Sequence, residues 1–209
     1  MLDNLLSTPG VEEIVQLRST FGFMAFHGGG LEKVTDIVAA EAAERSDASY
    51  YGVLHPDDIE LHVPSKHFDP AHSPGLASFL DHVDVVVAIH GYGRKHLRWD
   101  LLLGGTNRPL AGHVAGHLRS RLPPYRMIVE LDQIPPELAG QHPDNPVNRV
   151  RNAGVQIELP PLVRWYWEKW EWSDHGDAGR APQVEALILG LAESARAWVP
   201  EGDLDGWTS

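Results

Sequence analysis

Three apolar, strand-like runs each carry, at or near their end, a side chain able to hold a divalent cation or move a proton. They are Phe21-Gly22-Phe23-Met24-Ala25-Phe26-His27, Val85-Val86-Val87-Ala88-Ile89-His90 and Val155-Gln156-Ile157-Glu158-Leu159, with Glu32 five residues after His27. Two imidazoles and one carboxylate suffice to hold zinc with a position left open, and a spare carboxylate can serve as base. His27, Glu32, His90 and Glu158 are therefore the minimum set for metal-assisted hydrolysis. The chain has no cysteine, which excludes disulfides and thiolate ligation, so metal binding must rest on carboxylates and the twelve histidines.

The segment His27-Gly28-Gly29-Gly30-Leu31-Glu32 admits more than one reading. Glycines free the backbone to curl, so that a histidine on a strand and a glutamate beyond it converge on one ion. His-Gly-Gly-Gly is also the oxyanion loop of some esterases, but that chemistry needs a Gly-x-Ser-x-Gly elbow, which this sequence lacks. The plain alternative is a glycine-rich turn with an acidic residue near a helix N-terminus, where carboxylates are favoured anyway. For Glu158, the alternative to a catalytic role is a buried strand carboxylate neutralised by an arginine.

The elements that would position these groups alternate between strand and helix. Residues 21–26 read as a buried strand and residues 31–45 as a helix, with Leu31, Val34, Ile37, Val38 and Ala42 on one stripe. Residues 50–54 and 60–63 read as short strands about a His55-Pro56-Asp57-Asp58 turn, 74–82 as a helix and 84–89 as a buried strand. Then come a short strand at 101–103, a helix at 108–122 capped by Asn107 with Pro109 in its first turn, and strands at 126–131 and 155–159. A long helix at 182–199 carries the stripe Val184, Leu187, Ile188, Leu191, Ala195 and Trp198. Continuous apolar strands separated by helices imply an α/β fold, a mixed, mostly parallel sheet covered on both faces. Ligands of such sheets sit beyond the carboxyl ends of the strands, where His27 and His90 both fall.

At 209 residues, 43% of them hydrophobic, the chain is expected to form one domain, residues 1–209, around a core spanning about 21–199. The N-terminal residues lack a basic segment followed by an apolar one, and no stretch approaches a membrane span, so a soluble, cytoplasmic protein is expected with no membrane partner. Seventeen basic against twenty-nine acidic residues give a net charge of −12, which argues against a nucleic-acid partner and disfavours a long polyanion.

His27 to Glu32 with its Ala-rich sequel, Leu61-His62-Val63-Pro64-Ser65-Lys66-His67-Phe68-Asp69, Ile89-His90-Gly91, Leu103-Gly104-Gly105 and Asn148-Arg149-x-x-Asn152-x-Gly154-Val155-Gln156-Ile157-Glu158-Leu159 together resemble the poly-γ-glutamate hydrolase family over about residues 21–199. That family is similar in fold to the zinc carboxypeptidases. The resemblance implies a mononuclear Zn2+ site with His27, Glu32 and His90 as ligands, Glu158 as general base and acid, and an amide substrate that is γ-glutamyl in kind. Carboxypeptidases space their first two ligands His-x-x-Glu, whereas four residues intervene here. An ester-cleaving or deacylating enzyme on the same metal, or a binding protein that keeps the fold without turnover, are the other readings.

A substrate bearing carboxylates calls for a two-pronged cation, and Arg149, Arg151, Arg164, Arg94 and Arg98 all lie close in sequence to the proposed site. Arg149 is the first choice because Asn148-Arg149 falls in the matching stretch, with Asn148 and Asn152 as further substrate-binding candidates. His62, His67 and His96 are expected as supporting or loop histidines. The aromatic run Trp165 to Trp172 is expected to cover the sheet, or else to wall the cleft or meet a partner.

Overall fold

The computed structural model of the chain describes residues 1–58 and 61–199. The chain runs α1 (Leu2–Leu6), β1 (Glu12–Gln16), β2 (Phe21–Gly29), α2 (Thr35–Ser46), β3 (Ser49–His55), α3 (Pro74–His82), β4 (Val85–Gly91), β5 (Asp100–Leu103) and α4 (Arg108–Arg121). It continues through β6 (Arg126–Ile128), β7 (Gly154–Leu159), α5 (Pro161–Arg164), β8 (Trp165–Tyr166), β9 (Glu171–Trp172) and α6 (Pro182–Ala197). Strands β1 to β7 form one sheet in the order β1-β3-β2-β4-β7-β5-β6. The four central strands β3, β2, β4 and β7 are mutually parallel, while β1 and β5 run antiparallel to their inner neighbours. The mixed, mostly parallel α/β sheet expected from the apolar runs is the architecture found.

Strand alternation sorts the core into two layers. Phe23 and Ala25 of β2, Val85, Val87 and Ile89 of β4, and Val155, Ile157 and Leu159 of β7 pack with α2, α4 and α6. Met24 and Phe26 of β2 and Val86 and Ala88 of β4 face the other way, onto α1 and α3. By the same parity His90, Gln156 and Glu158 belong to the second face, near the carboxyl ends of their strands. Helix starts follow their caps: Asn107 Oδ1 accepts from Leu110 N at 2.9 Å and Ser73 Oγ from Leu76 N at 2.8 Å.

The structure departs from the sequence reading at several ends. Helix α2 begins at Thr35 rather than Leu31, because Glu32 N donates back to the His27 carbonyl at 2.8 Å and Val34 takes φ 80°, which the first turn of a helix cannot include. Residues 61–63 are irregular chain rather than strand, and Glu60 lies outside the described residues. Strand β6 stops at Ile128, where Val129 turns its carbonyl to Arg108, and Leu131–Gln133 forms a 3-10 turn. Helix α6 ends at Ala197 as Trp198 turns extended.

Candidate active site

Strand β2 brings His27 to the site through a bulge. Ala25 pairs with Gly52 and Gly28 with Leu54, so three steps on β2 match two on β3 and the extra residue re-aims the strand end. Beyond it, Gly29 adopts φ 69°, and a Cβ there would stand 2.3 Å from the His55 carbonyl oxygen, so only glycine allows the loop to press on β3 and turn back. The return delivers Glu32. On β4 and β7, His90 and Glu158 are register partners across a parallel ladder, which places their Cα atoms about 4.8 Å apart on the same face.

Glu32 lies between the two imidazoles. Its Oε1 is 2.9 Å from His27 Nδ1 and its Oε2 is 3.5 Å from His90 Nδ1, while Gly91 N donates to Oε2 at 2.8 Å. His27 Nε2 is 2.9 Å from the Val63 carbonyl, which can only accept, so Nε2 carries hydrogen and Nδ1 is the nitrogen turned to the carboxylate. Burial pushes the Glu32 carboxyl up, but the His27 and His90 imidazoles outweigh it and hold Glu32 well below the usual carboxylate range. Glu158 goes the other way. It is 4% exposed, and burial, joined by the nearby Glu32 charge and opposed by His90, raises it to about 7. Gln156 Nε2 donates to Glu158 Oε1 at 2.8 Å. Two carboxylates with opposite shifts have been sorted into one that stays charged and one that exchanges protons near neutrality.

The imidazole and carboxylate donors here are of the kind zinc takes, and the 2.9 and 3.5 Å separations from the two Glu32 oxygens are close to the ~3.4 Å expected between donors on one tetrahedral ion, but His90 does not join the group whose donors all lie within 4.8 Å of one another. A nitrogen and a carboxylate oxygen so close need a positive centre between them, a proton or a metal in its place. The His27 Nε2 bond to a backbone carbonyl is the orienting contact that ligating imidazoles commonly make. His62, which no spacing singled out, also enters: His27, Glu32 and His62 each offer a donor within 4.8 Å of the others, and the His27 and His62 rings are 4.5 Å apart. In the sequence His62 stood only within the stretch Leu61–Asp69 and among the supporting histidines, next to Val63, whose carbonyl proves to hold His27.

The sequence pattern of the poly-gamma-glutamate hydrolase family matches residues 7–177. The chain belongs to that family. Its fold is similar to that of a bacteriophage poly-gamma-glutamate hydrolase, with 24% identity, TM-score 0.74 and 92% of each chain covered. It is also similar to YNDL in a zinc-free apo form, with 21% identity, TM-score 0.76 and 94% of each chain covered. N-formylglutamate amidohydrolase from Ralstonia eutropha JMP134 aligns at 12% identity and TM-score 0.50, over 88% of this chain and 95% of that one. No curated protein matches the sequence. The chain is thus a hydrolase of the poly-gamma-glutamate hydrolase family with a carboxypeptidase-like fold. Among the described residues no helix is long and apolar enough to cross a membrane.

Other residues singled out in the sequence of this poly-gamma-glutamate hydrolase family member lie at varied distances from the centre. Asn152 N donates to the Asp84 carbonyl, one residue before β4, so it stands at the opposite end of that strand, about 17 Å from His90 by strand rise. Asn148 closes loops, its Oδ1 accepting from Thr106 N and Oγ1 and its Nδ2 donating to Gly140 and His142 carbonyls. Arg149 faces Asp69 at 3.5 Å and shares a cavity of about 400 Å³ with Lys66. Lys66 also borders a second cavity of about 360 Å³, lined by Ser65 and Gln156, the neighbours of His90 and Glu158. Arg151 is on the far edge with Asp84, and Arg94 pairs with Glu137 at the surface. Arg164, by contrast, is 5% exposed and packs flush against Gly91, where a Cβ would come 2.7 Å from its Cζ. The aromatic run forms the β8–β9 hairpin, with the Trp165 and Trp172 rings edge to face at 5.2 Å and Trp170 74% exposed.

Proposed function

We propose that this chain is a zinc-dependent amidohydrolase that cuts γ-glutamyl amide bonds, with His27, Glu32 and His90 holding the metal and Glu158 moving the proton. The observation that carries the reading is the Glu32 carboxylate shared between the Nδ1 atoms of two imidazoles, with a neutral-range Glu158 one strand away. The family, and a fold relative described in a zinc-free apo form, support zinc and the amide substrate.

When bound, zinc acidifies water and polarises the acyl oxygen, the two effects amide hydrolysis needs. The residues do the rest. Val63 and Glu32 fix the His27 ring, and Gly91 N fixes Glu32. Glu158, with Oε1 held by Gln156, leaves Oε2 to take the proton of the attacking water and deliver it to the departing nitrogen. Arg149, one cavity removed beside Lys66, is positioned for a carboxylate on a substrate residue distant from the cut bond, while Asn148 and Asn152 act by holding the loops that enter β7.

Metal content of purified protein tests the ligand assignment. Expected is about one zinc per chain, lost in His27→Ala and His90→Ala and retained in His62→Ala. Loss in His62→Ala with retention in His90→Ala would move the third ligand to the loop, and absence of zinc from the wild-type protein after loading would remove the metal reading.

A further inference from the structure

We propose that Asn145 is a positioning residue for the proton transfer: it sets the polarity of the Gln156 amide, and through that amide it decides that Glu158 meets a donor at Oε1 and handles protons at Oε2. The proposal rests on the amidohydrolase reading above, in which Glu158 is the base. Asn145, Gln156 and Glu158 are 4%, 5% and 4% exposed and form one chain of hydrogen bonds. Asn145 Nδ2 donates to Gln156 Oε1 at 2.8 Å, and Gln156 Nε2 donates to Glu158 Oε1 at 2.8 Å.

A carboxamide can turn end for end with little change in shape, so the end that faces Glu158 has to be fixed by groups that cannot reverse. Both amides of this chain are fixed in that way. Val147 N–H can only donate, and it donates to Asn145 Oδ1 at 3.3 Å, which turns Nδ2 toward Gln156. The Leu138 carbonyl can only accept, and it accepts from Gln156 Nε2 at 3.4 Å. The Asn145 turn is itself anchored. Asn145 caps the 3-10 turn Pro146–Asn148, its N donates to the His142 carbonyl at 3.0 Å, and buried Val147 belongs to the core layer of Met24, Phe26, Val86 and Ala88. Gly140 leans on Gln156 so closely that a Cβ there would come 2.7 Å from the Gln156 Cβ, which leaves the side chain no room to swing aside on that face. The chemical consequence falls on Glu158. A donor at Oε1 favours the charged form that a base needs before it can accept a proton. With the Gln156 amide reversed, two acceptors would face each other, and only a proton kept on Oε1 would join them, which would hold Glu158 neutral and unable to act as a base.

Asn145→Asp tests the assignment, since it keeps the size and the acceptor for Val147 N but sets a second acceptor against Gln156 Oε1. Gln156 should answer by reversing its amide. In the zinc-loaded whole chain carrying isotope-labelled glutamine, the Gln156 Nε2 protons should show nuclear Overhauser contacts to the Glu158 side chain in the wild type and to the side chain at position 145 in the variant. An amide that keeps its Glu158 contacts in Asn145→Asp overturns the proposal. With a γ-glutamyl amide as substrate, the variant should lower kcat roughly 10–100-fold, as the loss of a hydrogen bond to a charged group implies, with KM within about threefold and zinc content unchanged. Gln156→Leu should show a similar loss, and adding Asn145→Asp to it should change kcat by less than about threefold, because the amide through which position 145 acts is gone. Losses that multiply would overturn the proposal and leave Asn145 as a turn residue. Asn145→Leu, which buries no charge, carries the same double-mutant cycle should Asn145→Asp fail to fold. A wild-type protein that cleaves no γ-glutamyl amide, yet reverses the Gln156 amide in Asn145→Asp, would count against the amidohydrolase reading alone.

Discussion

Replacing Glu158 by Gln separates the chemistry of this residue from its effect on stability, because the two should move in opposite directions. Burial raises its carboxyl from the ordinary 4.5 to about 7. A group whose folded value is raised destabilises the fold in its charged form. Below pH 4.5 the carboxyl is neutral in folded and unfolded chains alike and nothing is lost. Between 4.5 and 7 the unfolded chain ionises while the folded one does not, and above 7 the penalty is complete. Two and a half units correspond to about 3 kcal/mol at 1.36 kcal/mol per unit. Glutamine escapes that penalty and still accepts from Gln156, but its amide brings donors where the Glu158 carboxyl makes no other hydrogen bond among the described residues, a cost of about 1 kcal/mol.

The metal-free Glu158→Gln protein should therefore be about 2 kcal/mol more stable than wild type at pH 8, or about 5 °C in Tm, and about 1 kcal/mol less stable below pH 4.5, where only the amide cost remains. Thermal unfolding in the presence of a chelator, followed by circular dichroism across that pH range, reads the difference. With zinc loaded, the same variant should lose hydrolysis of a γ-glutamyl amide by roughly 10²–10⁴-fold, the usual reach of general acid–base catalysis, while keeping its metal. Turnover at the wild-type rate would remove Glu158 as the base. A stability difference that is flat with pH, or negative at pH 8, would refute the buried-carboxylate argument even if activity were lost.

Gly29→Ala should cost at least about 2 kcal/mol and weaken zinc retention, since φ 69° disfavours any side chain and the new Cβ would meet the His55 carbonyl; denaturant midpoints and metal content check it. Arg180→Ala removes the hydrogen bonds that hold Glu41 and, after those from Arg45, Glu185 below their ordinary values. A lowered carboxylate stabilises above its unfolded value and loses that contribution as pH falls through the folded one. The variant should accordingly be about 1 kcal/mol less stable at pH 7, a figure discounted because these side chains are about a quarter to two-fifths exposed, and the gap should close below about pH 4.5 in parallel Tm profiles.

Strands β2, β4 and β7 were legible in the sequence because they are buried on both faces, which writes them as unbroken apolar runs, and period-two alternation then put His90 and Glu158 on one face. Strand β1 was not, since a short edge strand bearing Glu12 and Glu13 has little to bury and no pattern to show. The helix expected from Leu31 began four residues late because the loop spends those residues in returning Glu32 to His27. Asn152 lies apart for a different reason: it is six positions before Glu158 and near in sequence, but β7 runs extended from Gly154, which leaves Asn152 at the opposite end of the strand. Arg164 shows the converse. The stretch Pro160-Pro161-Leu162-Val163 carries no periodic pattern, yet one turn of helix folds it back so that the arginine beyond it lies under Trp172 and behind Gly91.

Net charge settles less about the substrate than its value of −12 suggests. At physiological ionic strength the field of exposed charges fades within about 8 Å, so a carboxylate entering the centre responds to what lies within that distance rather than to the sum over the surface. The cations nearest the centre are Arg164, buried behind Gly91, and Lys33 and Lys66, which border the cavities on either side together with Asp57, Glu171, Asp174 and Glu137. Burial strengthens the first of these, since solvent screens Arg164 least. Acidity elsewhere is spent in pairs such as Glu41 and Glu185 with Arg45 and Arg180, which tie α6 to α2. An anionic substrate would be compatible with an acidic enzyme only where oriented cations lie nearest the reacting atoms and the exposed acids around them, Asp57 among them, are paired or screened.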